Sequence, residues 1–354
     1  VISSISISNF RGIKSGRIDG LTNINVLIGA NGAGKSTVLE AIYLASAWAE
    51  YRDQVRNFTK FDVVARRRTQ RGNWEISKSF LWYGMNTDED INISLNFKSN
   101  KIMEFKIPYQ VRPLLEQRWI FLRSNDKYVT PEGYLLAETA VTLGMEGIYN
   151  EFREEIGYLR GVTLVDSMIY SNIELIERNI WPKIYGKRLD KNLISLIKEG
   201  YEPDADSITY VPVSPNEYAL MVGFSDKAVR IDDLGDGARV SLVIASVLST
   251  VSNTAALIED PEVHQHPAGL EKLLNFVLKV ADSNNIQLFI TTQSLDFLRT
   301  LLFIYPSNCK IFALRRDNEG NLGCRQFTLD EIEDLLESKV DIRRVVEELQ
   351  LEAR

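Results

Sequence analysis

An α/β fold is predicted by three stretches of the chain. Asn23 to Ile28 form a short apolar run ending in a glycine turn, and Val38 to Trp48 continue as an alanine-rich apolar segment with helical spacing. Ala255 to Asp260 form a second apolar run, closed by the carboxylates Glu259 and Asp260, and Ile286 to Thr292 form a third. Short apolar runs that alternate with helical patterns are the mark of strand–helix–strand units on a buried sheet.

Between the first strand and its helix, residues 29–37 read Gly-Ala-Asn-Gly-Ala-Gly-Lys-Ser-Thr. Gly29, Gly34, Lys35 and Ser36 satisfy the phosphate-binding pattern G-x-x-x-x-G-K-[ST], and strand, turn and helix follow in the order the motif requires. The glycines leave no side chain over the backbone N–H groups. Asn31, Gly32, Ala33, Gly34, Lys35, Ser36 and Thr37 are therefore expected to wrap a triphosphate at the positive end of the helix. Lys35 would reach the β- and γ-phosphates and the Ser36 hydroxyl would sit on magnesium, so ATP and Mg2+ are the expected ligands.

A chain of 354 residues exceeds the size at which single cores stop growing, so two or more lobes are expected. No apolar run approaches the roughly 18 residues needed to span a bilayer, so no membrane partner is expected. Cys309 and Cys324 lack metal-ligand spacing and no signal-peptide pattern opens the chain, which points to a reducing cytoplasm. The net charge of −7 gives no overall footprint for nucleic acid, so any DNA contact must be local.

In chain order, Ile2, Ile5 and Ile7 alternate with serine and predict an edge strand leading into Asn9-Phe10-Arg11-Gly12, with a second short strand before the phosphate loop. An Asn-Phe-Arg-Gly segment at this distance ahead of a phosphate loop resembles the start of RecF, SMC and OLD-type ATPases, which belong to the ABC-type ATPase class. The resemblance implies that Arg11 lies near the nucleotide as a phosphate contact. Arg66, Arg67, Arg68 and Arg71 form the densest basic run, read as a solvated loop with contact to a DNA backbone as the alternative. Alternating segments from Trp74 to Phe121 predict antiparallel strands, Leu135 to Lys198 predicts a helical insertion, and strand signals return at Ile208 to Val213. Tyr149, Phe152 and Trp181 in the insertion read as core.

Leu234-Gly235-Asp236-Gly237-Ala238-Arg239 opens a further apolar helix. It resembles the Leu-Ser-Gly-Gly-Gln signature of ABC ATPases in its OLD-type Gly-Asp-Gly form, whose helix start binds the γ-phosphate held by the opposite subunit. By that resemblance Gly235 and Gly237 are binding residues, with Gly235 standing where the signature has serine. Ala255 to Asp260 has the form of a Walker B strand, and Pro261 to Pro267 is similar to the Asp-Glu-Pro-Glu-x-x-Leu-His-Pro segment of RecF and OLD-like proteins. The alignment implies that Glu259 holds magnesium through water and that Asp260 positions or deprotonates the attacking water. A rival alignment gives magnesium to Asp260 and the base role to Glu262. His264 and His266, the only histidines, read as part of a D-loop packing on a second subunit rather than as metal ligands. At Thr292-Gln293-Ser294 the family has Thr-His-Ser, and Gln293 cannot carry the charge of an imidazole, so turnover is expected to be slow.

Thr328 with Glu331 forms a capping box for a C-terminal helix, and Val340 to Arg344 is expected to start another. Nothing like the TOPRIM nuclease of OLD proteins or the heptads of SMC proteins lies before Arg354. The resemblance as a whole implies an ABC-type P-loop NTPase head with an antiparallel β-subdomain and a helical insertion lobe. Residues 1–134, 135–233 and 234–354 are the expected lobes of one composite domain. A homodimer would close on ATP, in DNA repair or in defence against foreign DNA, with a separate effector such as a nuclease. The alternatives are a slow nucleotide-sensing scaffold for such an effector and the ATPase subunit of a transporter.

Overall fold

The computed structural model describes residues 1–68, 71–110, 119–132, 145–215, 217–338 and 342. The chain divides into two compact units, one made of Val1–Asp53, Phe58–Thr163 and Asn308–Arg354, the other of Gln54–Asn57 and Leu164–Ser307.

The first unit carries strands β1 (Ile2–Phe10), β2 (Ile13–Ile18), β3 (Ile24–Ile28), β4 (Ile91–Phe97), β5 (Ile102–Ile107), β6 (Phe121–Ser124) and β7 (Lys127–Val129). The second carries β8 (Thr163–Val165) from its Leu164 onward, β9 (Ser207–Ser214), β10 (Glu217–Gly223), β11 (Ala228–Arg230), β12 (Thr254–Glu259) and β13 (Ile286–Thr292), and the chain returns to the first with β14 (Cys309–Arg316) and β15 (Asn321–Phe327). Within the first unit the strand order is β7-β6-β5-β4-β1-β2-β15-β14-β3. The pairings β3 with β14 and β15 with β2 are parallel, and the remainder are antiparallel. All five residues of β3 are buried, which is why it reads as an unbroken apolar run rather than an alternation.

β1 is an interior strand, not the expected edge: it pairs with β2 on one side and β4 on the other. Alternation of apolar and polar residues reports a sheet face that is less buried, and faces lie at right angles to the direction in which edges pair. The antiparallel strands predicted from Trp74 begin only at Ile91. Before them, Trp74–Ser77 is a helical turn, because the Asn73 side chain accepts the Ile76 N–H at 3.1 Å and Trp74 packs edge-on to Phe61 with ring centroids 4.6 Å apart. The hairpin of β14 and β15 has no counterpart in the sequence reading, since polar residues interrupt its alternation. Its turn is set by Asp317, whose carboxylate accepts the Asn321 N–H at 2.8 Å.

In the second unit β12 and β13 are parallel, with Glu259 opposite Thr291, and β8 lies beyond β12. β9, β10 and β11 form a separate antiparallel sheet. The predicted helical stretch is a series of short helices, among them Arg153–Arg160, Ile173–Asn179 and Asp190–Gly200, interrupted by the fully buried β8. Residues 133–144 at its start lie outside the described residues. Phe152 and Trp181 are buried as read, whereas Tyr149 is among the exposed hydrophobics. The capping box of Thr328 and Glu331 starts the helix Leu329–Glu337, and the helix expected from Val340 lies, apart from buried Ile342, outside the described residues.

One charged cluster ties the start of the chain to the phosphate-loop helix, Lys35–Ser46. Glu40 is 0% exposed and meets Arg11 Nε at 2.9 Å and Arg67 Nη1 at 2.9 Å. Arg11 Nη2 also donates to the Val64 carbonyl at 2.7 Å. Burial pushes the Glu40 carboxyl up, but the charges of Arg11, Arg67 and Arg68 together reverse that effect and hold it below the ordinary carboxylate value.

Replacing Glu40 with glutamine leaves two buried guanidinium groups without their counter-charge, and should cost about 3–5 kcal/mol, read as a lower urea midpoint. Because the folded value is depressed, the contribution is fully present above the unfolded carboxylate value and is lost as pH falls through the folded one. The acid sensitivity of the wild-type midpoint should therefore exceed that of Glu40→Gln, and identical profiles would remove Glu40 from the account.

Candidate functional site

The phosphate loop leaves the C-terminal end of β3 under a steric constraint. A Cβ on Gly29 would lie 2.4 Å from the backbone oxygen of Leu314 in β14, and its φ of +157° is a conformation that side chains rarely adopt. Gly34 caps the helix in the left-handed region at φ 101°, and its carbonyl accepts the Val38 N–H at 3.0 Å. Lys35 is 6% exposed, and its ammonium donates to the carbonyls of Gly29 at 2.7 Å and Ala30 at 3.2 Å, so the loop closes around its own lysine. Asn31 and Gly32 face outward, Ser36 is half-buried, and Ala33 and Thr37 are buried.

Arg11 sits close by in sequence space but is committed elsewhere: its guanidinium faces Glu40 and Val64. The basic run is likewise not a uniformly solvated loop. Arg67 is buried against Glu40 and Arg66 Nε donates to the Gly72 carbonyl at 2.8 Å, whereas the Arg68 side chain is about half exposed, at 52%, near Glu40, and Arg71 is exposed.

The acidic residues and Gln293 are brought together in the second unit. β12 ends at Glu259, whose backbone oxygen accepts the Tyr170 hydroxyl at 2.9 Å. Asp260 follows in a left-handed turn at φ 45°, a conformation aspartate tolerates, and its N–H donates to the Thr291 carbonyl at 3.1 Å. The Thr291 hydroxyl donates back to the Asp260 carboxylate at 3.1 Å. Glu262 accepts the Thr292 hydroxyl at 2.6 Å and the Gln293 N–H at 3.4 Å through one oxygen, while its other oxygen is buried with no hydrogen-bond partner among the described residues. Burial raises the Glu262 carboxyl above the ordinary value and the charge of Asp260 adds to this, against the hydrogen bonds it accepts. The turn after β12 and the end of β13 are thus stitched together by threonine hydroxyls, leaving Gln293 exposed at the strand end.

Among the described residues no group of three or more His, Cys, Asp or Glu could hold a metal ion. His266 instead caps the helix Pro267–Ser283, and His264 Nδ1 lies 3.8 Å from Asp236. Magnesium fits what remains, because it characteristically uses one or two carboxylates together with substrate phosphates and water.

The signature helix Asp236–Ser249 starts after Gly235 with no side-chain cap, so its first N–H groups are not taken up by a capping side chain. A Cβ on Gly235 would meet nothing within 4 Å, whereas one on Gly237 would lie 3.0 Å from the His264 carbonyl. Tyr170, Tyr201, Gln265 and the two threonines carry much of this architecture and were not read from the sequence. Each acts through a partner far away in the chain, and only the polar ending of β13 hints at its role.

Comparison with known proteins finds ATPase domains and ATPase-like relatives. Residues 1–156 match a family described as an AAA ATPase domain, and residues 162–299 match one described as an AAA domain, putative AbiEii toxin, Type IV TA system. An ATP/GTP phosphatase of Helicobacter pylori is 22% identical over 355 residues, covering 90% of this chain and 94% of that protein. A DNA replication and repair protein RecF of Lactococcus lactis is 24% identical over 215 residues, covering 59% of this chain and 53% of its own length. The Smc head domain from Pyrococcus furiosus, solved bound to the C-terminal domain of ScpA, matches 95% of this chain and 98% of its own, with a TM-score of 0.54 and 13% identity, a likeness of fold.

Lys35→Ala removes the point charge at the loop and should weaken ATP binding strongly in calorimetry while the circular dichroism spectrum is retained. Unchanged affinity would take the nucleotide away from this loop.

Proposed function

Because this chain is a RecF/SMC-like P-loop ATPase of the ABC type, we propose that it acts as a switch whose working stroke is ATP-driven pairing of two chains. The lobes 1–134, 135–233 and 234–354 act as one composite ATPase domain. Asn31 to Thr37 of one protomer hold the triphosphate, with Lys35 on the β- and γ-phosphates. Backbone donors around Gly235 and Gly237 of the second protomer close on the γ-phosphate. The observation that carries this reading is the signature helix, whose first turn no side chain caps and whose positive end therefore suits an anion.

In hydrolysis a water oxygen bonds to the γ-phosphorus, the bond to the β–γ bridging oxygen breaks, and the water proton passes to a carboxylate. Ser36 and Glu259 would hold magnesium, which when bound neutralises charge on the phosphates. Asp260 is the assigned water-handling residue. The unpartnered buried oxygen of Glu262 favours a second assignment in which Glu262 takes the water and Asp260 the metal. Gln293 cannot supply a charged imidazole, and Gly235 offers no hydroxyl, so turnover is slow and the closed state long-lived. The same two departures support the reading of a nucleotide-sensing scaffold that holds an effector. We place the protein in the cytoplasm, in DNA repair or defence against foreign DNA, with a separate effector such as a nuclease. The RecF relative and the toxin-related family description support that setting, and the ScpA-bound Smc head supports a protein partner.

The test is sedimentation of Asp260→Asn with ATP and magnesium. A dimer is expected, and a strict monomer at concentrations well above those of the assay defeats the shared-site mechanism.

Turnover assigns the base. Asp260→Asn should bind ATP normally and hydrolyse it about 10² to 10⁴-fold more slowly. If Glu262 is the base instead, Glu262→Gln abolishes turnover. In that case the wild-type rate climbs as pH rises through the raised Glu262 value, since a base must be deprotonated, and Asp260→Asn merely weakens magnesium binding.

A further inference from the structure

Four residues distant in sequence meet beside the signature. The Tyr201 hydroxyl lies 2.7 Å from Gln265 Oε1 and in close contact with Ser241 Oγ, and Gln265 Nε2 lies 3.2 Å from Ser241 Oγ and 3.0 Å from the Gly237 carbonyl. The chemistry of the groups fixes how the Gln265 amide is turned. The Gly237 carbonyl only accepts, so the Gln265 amide nitrogen must face it and the amide oxygen must face Tyr201. Gln265 Nε2 then donates to Ser241, and the Tyr201 hydroxyl, in contact with Ser241 Oγ, faces two carbonyl acceptors, Gln265 Oε1 and the Gly269 backbone oxygen at 3.1 Å. The three side chains form a ring of contacts whose hydrogen bonds polarise one another.

The ring is held at close quarters. A Cβ on Gly269 would lie 2.8 Å from Tyr201 Cε1, and one on Gly237 would lie 3.4 Å from the same atom. The tyrosine therefore packs across two glycines, one on the signature helix and one on the helix that follows Pro267. Ser241 is fully buried, and Tyr201 is the C-terminal cap residue of the helix Asp190–Gly200.

We propose that Tyr201, Gln265 and Ser241 form a latch that positions the signature's phosphate-binding donors. The Gly237 carbonyl and the Ala238 N–H belong to one planar peptide, so holding the oxygen fixes where the N–H points. In a helix that N–H points out of the N-terminal end, where the γ-phosphate held by the second protomer would dock. Tyr201 is a positioning residue: it touches no substrate and acts through Gln265 on the Gly237 peptide. The latch also makes the turn bearing His264 and Gln265 move with the signature, so a change at the acids after β12 reaches the donors directly. This inference rests on the shared-site reading above.

The test compares ATP-induced dimerisation of Asp260→Asn with that of the double variant Asp260→Asn, Tyr201→Phe, by sedimentation in ATP and magnesium. Tyr201→Phe keeps the ring against both glycines and removes only the hydroxyl. Dimerisation should weaken about tenfold, the effect of one lost buried hydrogen bond. ATP affinity of the monomer, measured by calorimetry below the dimerisation range, should not change, and in the otherwise wild-type chain kcat should fall with KM held. If Asp260→Asn dimerises and the double variant dimerises equally well, the latch is wrong and the shared site stands. If Asp260→Asn alone stays monomeric, the shared-site reading fails first. Should Tyr201→Phe lose its circular dichroism spectrum, Gln265→Met gives the same readout, and dimerisation equal to that of Asp260→Asn again overturns the latch.

Discussion

The phosphate loop depends on a backbone approach that only glycine permits. Gly29 runs so close to the Leu314 carbonyl that any side chain would drive β3 and β14 apart, and those two strands pair in parallel along the length of β3. The constraint places the turn directly at the strand end, and from there Gly34 can cap the helix in a left-handed conformation. Lys35 then has no route except back over the loop, where the carbonyls of Gly29 and Ala30 receive it. A sheet contact, a helix start and the aim of a lysine follow from one missing Cβ.

The same helix is anchored by charge as well as by apolar packing. Glu40 interrupts an otherwise buried apolar stretch and gathers Arg11 and Arg67 around it. Buried ion pairs of this kind add little net stability compared with a well-packed apolar cluster, but they are costly to break. Their use here is to fix position. The turn between β1 and β2 and the helix Lys60–Arg66 both meet the phosphate-loop helix at a single carboxylate, which sets where the loop sits on the sheet.

What was legible in the sequence was local. The phosphate loop, the acids ending β12, the capping box at Thr328 and the parallel core strands each declare themselves within a few consecutive residues. What escaped was pairing between distant segments. Arg11 was assigned to the phosphates by resemblance, and its contact with Glu40, 29 residues away, escaped because that residue looks like any helical glutamate. Arg67 reads as solvated because a run of arginines is usually exposed, and it is buried because that same glutamate needs a second counter-charge. Tyr201 carries no motif, and Gln265, 64 residues away, lies in a motif segment that gives no sign of this partner. The misjudged edge at β1 has a different origin: periodicity tells which face of a strand is wet and says nothing about how many neighbours it has.

The open space around Gly235 bears on how such a protein diversifies. Its backbone dihedral is ordinary and nothing lies within reach of an added side chain, so glycine there is not imposed by the fold. A lineage can therefore add or remove a hydroxyl at this position without repacking a neighbour, which makes the grip of the signature an evolutionary dial rather than a fixed inheritance. Gly237, pressed against the His264 carbonyl, offers no such latitude. Two glycines on either side of Asp236 thus stand under opposite steric constraints, one open to a side chain and the other pinned by the architecture around it.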